Sequence, residues 1–161
     1  MTIGFILNGE DVEAEAGAES RLVEILRNSF RLTGTKPGCL NGNCGACSVF
    51  FNGNVVKSCL IPAFQIRDSE IITIEGFSLT DEYQDIVSGF SEAGLENCGF
   101  CDTGKILAAE ALLSRNLRPS KQEILKAFFG IRCRCTDPEG LIQAVLAAAE
   151  HRRRRLYGRS F

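Results

Sequence analysis

Eight cysteines in 161 residues, accompanied by a single histidine, are the side chains of this sequence best suited to chemistry. They fall in two sets. Cys39, Cys44, Cys47 and Cys59 follow C-x4-C-x2-C-x11-C, while Cys98 and Cys101 (C-x2-C) are separated from Cys133 and Cys135 (C-x-C) by 31 residues. Thiolates are soft anionic ligands, and in a reducing compartment clustered thiols hold metal more often than they form disulfides. One histidine, His151, excludes Rieske-type ligation and a C-x-x-C-H haem site.

The first three intervals are those of plant-type [2Fe–2S] ferredoxins. A two-iron cluster needs two thiolates on each iron and backbone N–H groups turned towards its sulfur atoms. The ligand loop must therefore wrap tightly, and Gly34, Gly38, Gly42 and Gly45 suit this by accepting positive φ and bringing no Cβ into the way. Cys59 closes the set. A zinc site or a disulfide pair competes with this reading, but zinc's four-cysteine sites usually join two C-x2–4-C knuckles, a more symmetric pattern. The second set, by spacing alone, is open between zinc and iron. Its two pairs are expected at inter-helix turns or helix starts, where unpaired N–H groups and the helix dipole favour thiolate.

The elements that must position these groups divide near residues 76–81. Before that, Ile3–Leu7 and Val12–Ala16 read as strands joined by Asn8-Gly9, and Ser20–Phe30 as a helix with Leu22, Ile25 and Leu26 inward. Ser48–Phe51 and Val55–Lys57 form a second hairpin around Asn52-Gly53, and Glu70–Glu75 a closing strand. After Gly76 the period becomes helical: Tyr83, Ile86, Val87 and Phe90 share one face, and Ile106, Leu107, Leu112 and Leu113 mark a second helix. Ser120 and Glu123 form a capping box for a helix with Ile124, Leu125, Phe128 and Phe129 inward and Gly130 as its stop. Asp137-Pro138 opens the last helix, which ends in Arg152–Arg155, read most simply as a solvated end suited to the C-terminal dipole. The expectation is an α+β chain: a β-grasp, ferredoxin-like domain (1–77), then an all-α four-helix bundle (78–161).

Together, Gly34-x-Lys36-x-Gly38-Cys39-x4-Cys44-Gly-Ala-Cys47, Cys98-Gly-Phe-Cys101 and Cys133-Arg-Cys135-Thr136 make the chain resemble the small iron–sulfur subunit of the xanthine oxidase family of molybdenum hydroxylases. The resemblance runs from the first strand to the last helix. It implies that Cys39, Cys44, Cys47 and Cys59 bind one [2Fe–2S] cluster, facing FAD in a partner subunit. It also implies that Cys98, Cys101, Cys133 and Cys135 bind a second, beside a molybdopterin in a large subunit, with Cys135 and Asn97 near the pterin. The family's Gln before C-G-F-C is Asn97 here, its Thr-Pro after it is Asp102-Thr103, its Asn two before C-R-C is Ile131, and its Gly-Tyr after C-R-C-T is Asp137-Pro138. These departures point to a remodelled partner face.

Other residues admit two readings. Lys36 and Arg134 are either cluster-stabilising cations or solvated ones, and Phe100 is either a cluster shield or a plain core aromatic. A net charge of −2 argues against a nucleic-acid partner, and without a basic n-region before an apolar run neither leader nor membrane span is expected, which makes the cytoplasm the expected compartment. No G-x-G-x-x-G, P-loop or nucleophile elbow is present, so the chain by itself is not expected to turn over substrate. A free-standing two-cluster carrier and a zinc-binding structural protein are the alternatives.

Overall fold

The computed structural model describes residues 1–95 and 98–158. Strand β1 (Thr2–Leu7) returns through Asn8-Gly9, both at positive φ, into β2 (Glu10–Glu15), as two-residue hairpins of this type require. The alternation of Ile3, Phe5 and Leu7 buries one face of β1, and helix α1 (Leu22–Asn28) lays Leu22, Ile25 and Leu26 against it. The second hairpin, β3 (Ser48–Phe51) and β4 (Asn54–Lys57), turns at Asn52-Gly53 in the same way. Strand β5 (Glu70–Ile72) runs parallel to β1 and antiparallel to β3, giving the order β2-β1-β5-β3-β4.

The closing strand is shorter than the expected Glu70–Glu75. Thr73 leaves the ladder to bond Asn8, whose Oδ1 accepts from the Thr73 N–H at 2.8 Å and whose Nδ2 donates to Thr73 Oγ1 at 3.0 Å. The chain then turns into the short helix α2 (Ile74–Phe77).

Four helices follow: α3 (Asp81–Glu92), α4 (Asp102–Leu113), α5 (Lys121–Ala127) and α6 (Pro138–Tyr157). Thr80, Ser120 and Asp137 cap three of them through side-chain oxygens, and the Ser120–Glu123 capping box forms as its sequence predicts. Helix α3 packs closely on α6 because Gly89 lies against the Ala147–Ala148 backbone; a Cβ there would come within 2.2 Å of the Ala148 nitrogen. Helix α4 is apolar on most sides because it lies between the bundle and the sheet, and the bundle core draws in Phe50 from β3 and Phe77 from α2.

Two expectations in this half are corrected. Helix α5 ends at Ala127 with Phe128 as its cap, so Gly130 is not its stop; Leu125 and Phe129 face solvent, Phe129 at 91% exposure, because one turn after Ile124 the chain leaves the helix. The arginine tail is not simply solvated. Arg152 is 3% exposed. Its Nη2 donates to Glu110 Oε2 at 2.7 Å and its Nε to Asp85 Oδ2 at 3.2 Å, while Arg155 donates to the same Asp85 oxygen at 2.7 Å. Arg152 continues the buried stripe of Val145, Ala148 and Ala149, which carries it under α3 and α4 rather than into water.

Candidate functional site

The first four cysteines are placed by the start and end of the β3–β4 hairpin. Its last pair, Ser48 opposite Lys57, brings Cys47 beside Ser58, whose N–H and Oγ donate to the Cys47 carbonyl at 3.1 and 2.7 Å. Cys59 follows directly, and Cys47 and Cys59 are buried together against Val23. Cys39 and Cys44 face each other across the loop, where the Asn43 and Cys44 N–H groups donate to Cys39 Sγ at 3.1 and 3.2 Å and the Ala46 N–H to Cys44 Sγ at 3.4 Å. Backbone amides thus converge on sulfur. Gly42 and Gly45 take positive φ as expected, whereas Gly34 and Gly38 do not. Gly38 serves by lacking a Cβ, which would lie 2.7 Å from Cys44 Sγ.

The second four also meet in twos. Cys101 is the N-cap of α4, and Cys133 and Cys135 lie in the turn before α6, so both pairs sit at helix starts. Cys101 is a neighbour of Cys133, and Cys98 of Cys135, close enough for each thiol to shift the other's ionisation. Cys101 is buried and Cys98 and Cys135 are exposed, so the group spans from core to surface. Asp102 Oδ2 accepts the Gly99 N–H at 2.9 Å, holding the turn between Cys98 and Cys101.

The thiols within these groups differ sharply. The Asn41 N–H, with those of Cys44 and Asn43, holds Cys39 down to about 6 against some burial. Burial pushes Cys47 up to about 11 and Cys101 up to about 12. Burial also works against Cys133, but the Cys101 thiol, the Cys135 N–H, Thr136 and Lys105 outweigh it and bring Cys133 down to about 7. Cys98 is lowered by the Phe100 N–H and then by Cys135, which is itself raised by Cys98. Amides and neighbouring thiols thus favour the thiolate at Cys39, Cys98 and Cys133, whereas burial disfavours it at Cys47 and Cys101 and the Cys98 thiol disfavours it at Cys135; a cationic metal core would favour the thiolate throughout.

Pairing by twos suits a binuclear cluster, where each iron takes two thiolates.

The two loops touch. The Arg132 N–H donates to the Cys44 carbonyl at 3.0 Å, and the Phe100 ring lies where a Gly38 Cβ would meet it at 3.2 Å. Phe100 is thus neither core nor shield alone: it is 52% exposed and rests on the opposite cysteine loop.

Residues 5–71 match the 2Fe-2S iron-sulfur cluster binding domain, and residues 73–146 the [2Fe-2S] binding domain. The nicotinate dehydrogenase small FeS subunit of Eubacterium barkeri is 42% identical over 150 residues, covering 93% of this chain and 96% of that protein. This chain belongs to the small iron–sulfur subunits of the molybdenum hydroxylases. The nicotine 6-hydroxylase small subunit of Paenarthrobacter nicotinovorans is 37% identical over 142 residues, covering 88% of this chain and 86% of that one. Among solved structures, quinoline 2-oxidoreductase from Pseudomonas putida 86 superimposes with a TM-score of 0.86 at 35% identity, over 95% of this chain and 96% of that chain. The iron–sulfur subunit is accordingly an electron-transfer component of a molybdenum-dependent oxidoreductase, itself without a catalytic centre, and one part of a heteromer with larger subunits. Its two domains are both [2Fe–2S]-binding, which displaces zinc as the metal and the free-standing carrier as the role.

The departures from the family pattern acquire internal partners in this subunit. Thr103 Oγ1 donates to the Gly34 carbonyl at 2.9 Å, across the two halves, while Gly34 N–H donates to Glu75 Oε1 at 2.7 Å. Ile131 packs on Gly45, and Asp137 with Pro138 starts α6. Asn97 lies outside the described residues.

Two participants escaped the spacing argument. Ser58 precedes a ligand-type cysteine and clamps another, a role set only by the hairpin register. Lys105, 1% exposed on α4, reaches Cys133 Sγ at 3.7 Å; its i,i+4 spacing from Cys101 was the available signal.

Proposed function

We propose that this chain relays electrons from a molybdopterin site in a large subunit to FAD in another subunit, with Cys39, Cys44, Cys47 and Cys59 holding the FAD-side cluster and Cys98, Cys101, Cys133 and Cys135 the molybdopterin-side one. When bound, the two [2Fe–2S] clusters supply one-electron storage and transfer. The observation that carries the reading is the meeting of eight cysteines in four pairs, grouped as two sets whose loops touch through Cys44 and Arg132.

The residues fit that load. The N–H groups of Asn43, Cys44 and Ala46 point at sulfur, as an anionic thiolate site requires, and those of Phe100 and Cys101 favour the Cys98 thiolate in the second set. Burial of Cys47, Cys59 and Cys101 keeps water from the inner side, and the Cys44–Arg132 contact leaves a short covalent and hydrogen-bonded route between the sets. Exposed Cys98 and Cys135 open the second set to the partner, with Cys135 nearest the pterin. Exposed Leu40 and Leu60 adjoin Cys39 and Cys59, and exposed Phe100 and Leu125 border the second set, which supports two separate subunit contacts.

The same reading keeps the division into a ferredoxin-like unit, 1–77, and a helical unit, 78–161. Among the described residues no helix is long and apolar enough to cross a membrane. Eight thiols without a disulfide suit a reducing cytoplasm. Because the relatives are named for nicotinate, nicotine and quinoline, we assign the holoenzyme an N-heteroaromatic substrate, bound by the large subunit.

Iron and sulfide analysis with electron paramagnetic resonance of the reduced chain tests the ligand assignment. It requires roughly four iron and four sulfide and two binuclear signals. Stoichiometric zinc, or one signal, overturns it.

A further inference from the structure

Among the described residues Lys105 is the one lysine that the fold buries, at 1% exposure. Its neighbours on α4 are Gly104, Ile106, Leu107, Ala108 and Ala109, all buried, so an apolar side chain would suit the packing. An ammonium in such a place is unfavourable unless negative or strongly dipolar groups surround it. Nζ lies 3.5 Å from Asp102 Oδ1, 3.3 Å from Thr136 Oγ1 and 3.7 Å from Cys133 Sγ. Thr136 also accepts the Cys133 thiol at 3.7 Å, which holds amine, hydroxyl and sulfur in one cluster. These groups border a cavity of about 190 Å³ whose lining also includes the acidic Asp137 and the apolar Phe128 and Ile131.

Four thiolates outweigh the charge of a binuclear iron–sulfide core, and reduction adds one more negative charge. A cation against a ligand sulfur favours the reduced state, and does so most strongly where water is scarce. The contrast within the set is informative: Cys98, Cys135 and Arg134 are exposed and screened, whereas Lys105 meets the set on the buried Cys101–Cys133 side.

We propose that Lys105 is the tuning residue of the second cluster: its ammonium, positioned by Asp102 and Thr136 and donating to Cys133, raises that cluster's reduction potential and draws electrons from the partner subunit. The inference rests on the ligand assignment above. No bond or proton moves in this step. One electron enters the cluster, released in the complex as the partner subunit oxidises its substrate, or supplied by dithionite in a titration.

The experiment is a dithionite titration of the cluster-loaded full chain, following the two binuclear signals separately by electron paramagnetic resonance. Lys105→Met lowers the second midpoint by the equivalent of about tenfold in the one-electron equilibrium, 59 mV, and leaves the first unchanged. Lys105→Arg, which keeps the charge, stays near the unmodified value. Asp102→Asn, which removes the opposing carboxylate but keeps an acceptor for Gly99, raises the second midpoint. A purely structural lysine would predict a second-cluster midpoint that does not move in Lys105→Met, and that result overturns the proposal. If Lys105→Met fails to retain the second cluster, Lys105→Gln decides: a lowered midpoint supports the proposal and an unmoved one overturns it. If the unmodified chain lacks two binuclear signals, the ligand assignment fails, and the role of Lys105 fails with it.

Discussion

The carbonyl of Cys44 accepts a 3.0 Å hydrogen bond from the N–H of Arg132, and this peptide contact joins loops that belong to different halves of the chain. Around it the two surfaces meet without room to spare. Gly45 holds φ +81, and a Cβ added there would lie 3.0 Å from Ile131 Cγ1; one added at Gly104 would lie 2.5 Å from the Gly45 carbonyl oxygen.

Gly104→Ala and Gly45→Ala should therefore force the halves apart. A loss of about 1–3 kcal/mol is expected for each, from overpacking and, at Gly45, from backbone strain. Denaturant unfolding measures it, and slower exchange of electrons between the two cluster signals should accompany it. Unfolding midpoints equal to those of the unmodified chain would show that the joint tolerates a methyl group.

Ligand loss should be selective. Cys59→Ser should remove the first binuclear signal and leave the second, and Cys98→Ser the reverse, because the two sets share no cysteine. Paramagnetic resonance of each reduced variant reads this directly. Simultaneous loss of both signals in a variant that still unfolds cooperatively would contradict two independent sites.

Arg152→Ala leaves the half-buried Glu110 without its cation and removes one of the two arginines on Asp85. Breaking a buried ion pair from one side costs about 3–5 kcal/mol, and the low end is expected because Arg155 still reaches Asp85 at 2.7 Å. A denaturation curve within about 1 kcal/mol of the unmodified protein would mean that water replaces the guanidinium.

The same network sets a pH dependence. Burial holds the Glu110 carboxyl above its ordinary 4.5, with Arg152 opposing that rise. Between the ordinary and the raised value the folded chain carries this proton and the unfolded chain does not. The stabilising contribution is thus complete below 4.5 and lost as pH rises through the raised value. Glu110→Gln should abolish that decline, so that stability measured against pH diverges between the two proteins from 4.5 upward. Parallel curves would rule this out.

Phe129, 91% exposed and four residues before Cys133 in the chain, should matter to assembly rather than folding. Phe129→Ser is expected to change stability by no more than about 0.5 kcal/mol and to weaken co-purification with the large subunit. Undiminished assembly would place the contact elsewhere.

Sequence alone determined what local chemistry can specify. Cysteine spacing named the metal of the first set, Asn8-Gly9 and Asn52-Gly53 gave the hairpins, and Ser120, Glu123, Asp137 and Pro138 gave two helix starts. Each depends on a few neighbouring residues, so each could be read along the chain. Tertiary structure decided what depends on approach between distant segments. The pairing of Cys101 with Cys133 and Cys98 with Cys135 requires α4 and the turn before α6 to meet. The burial of Arg152 requires α6 to lie under the acids of α3 and α4, and the place of Lys105 beside Cys133 requires both at once. A charged side chain looks solvated in sequence. Only packing shows when its partners, rather than water, surround it.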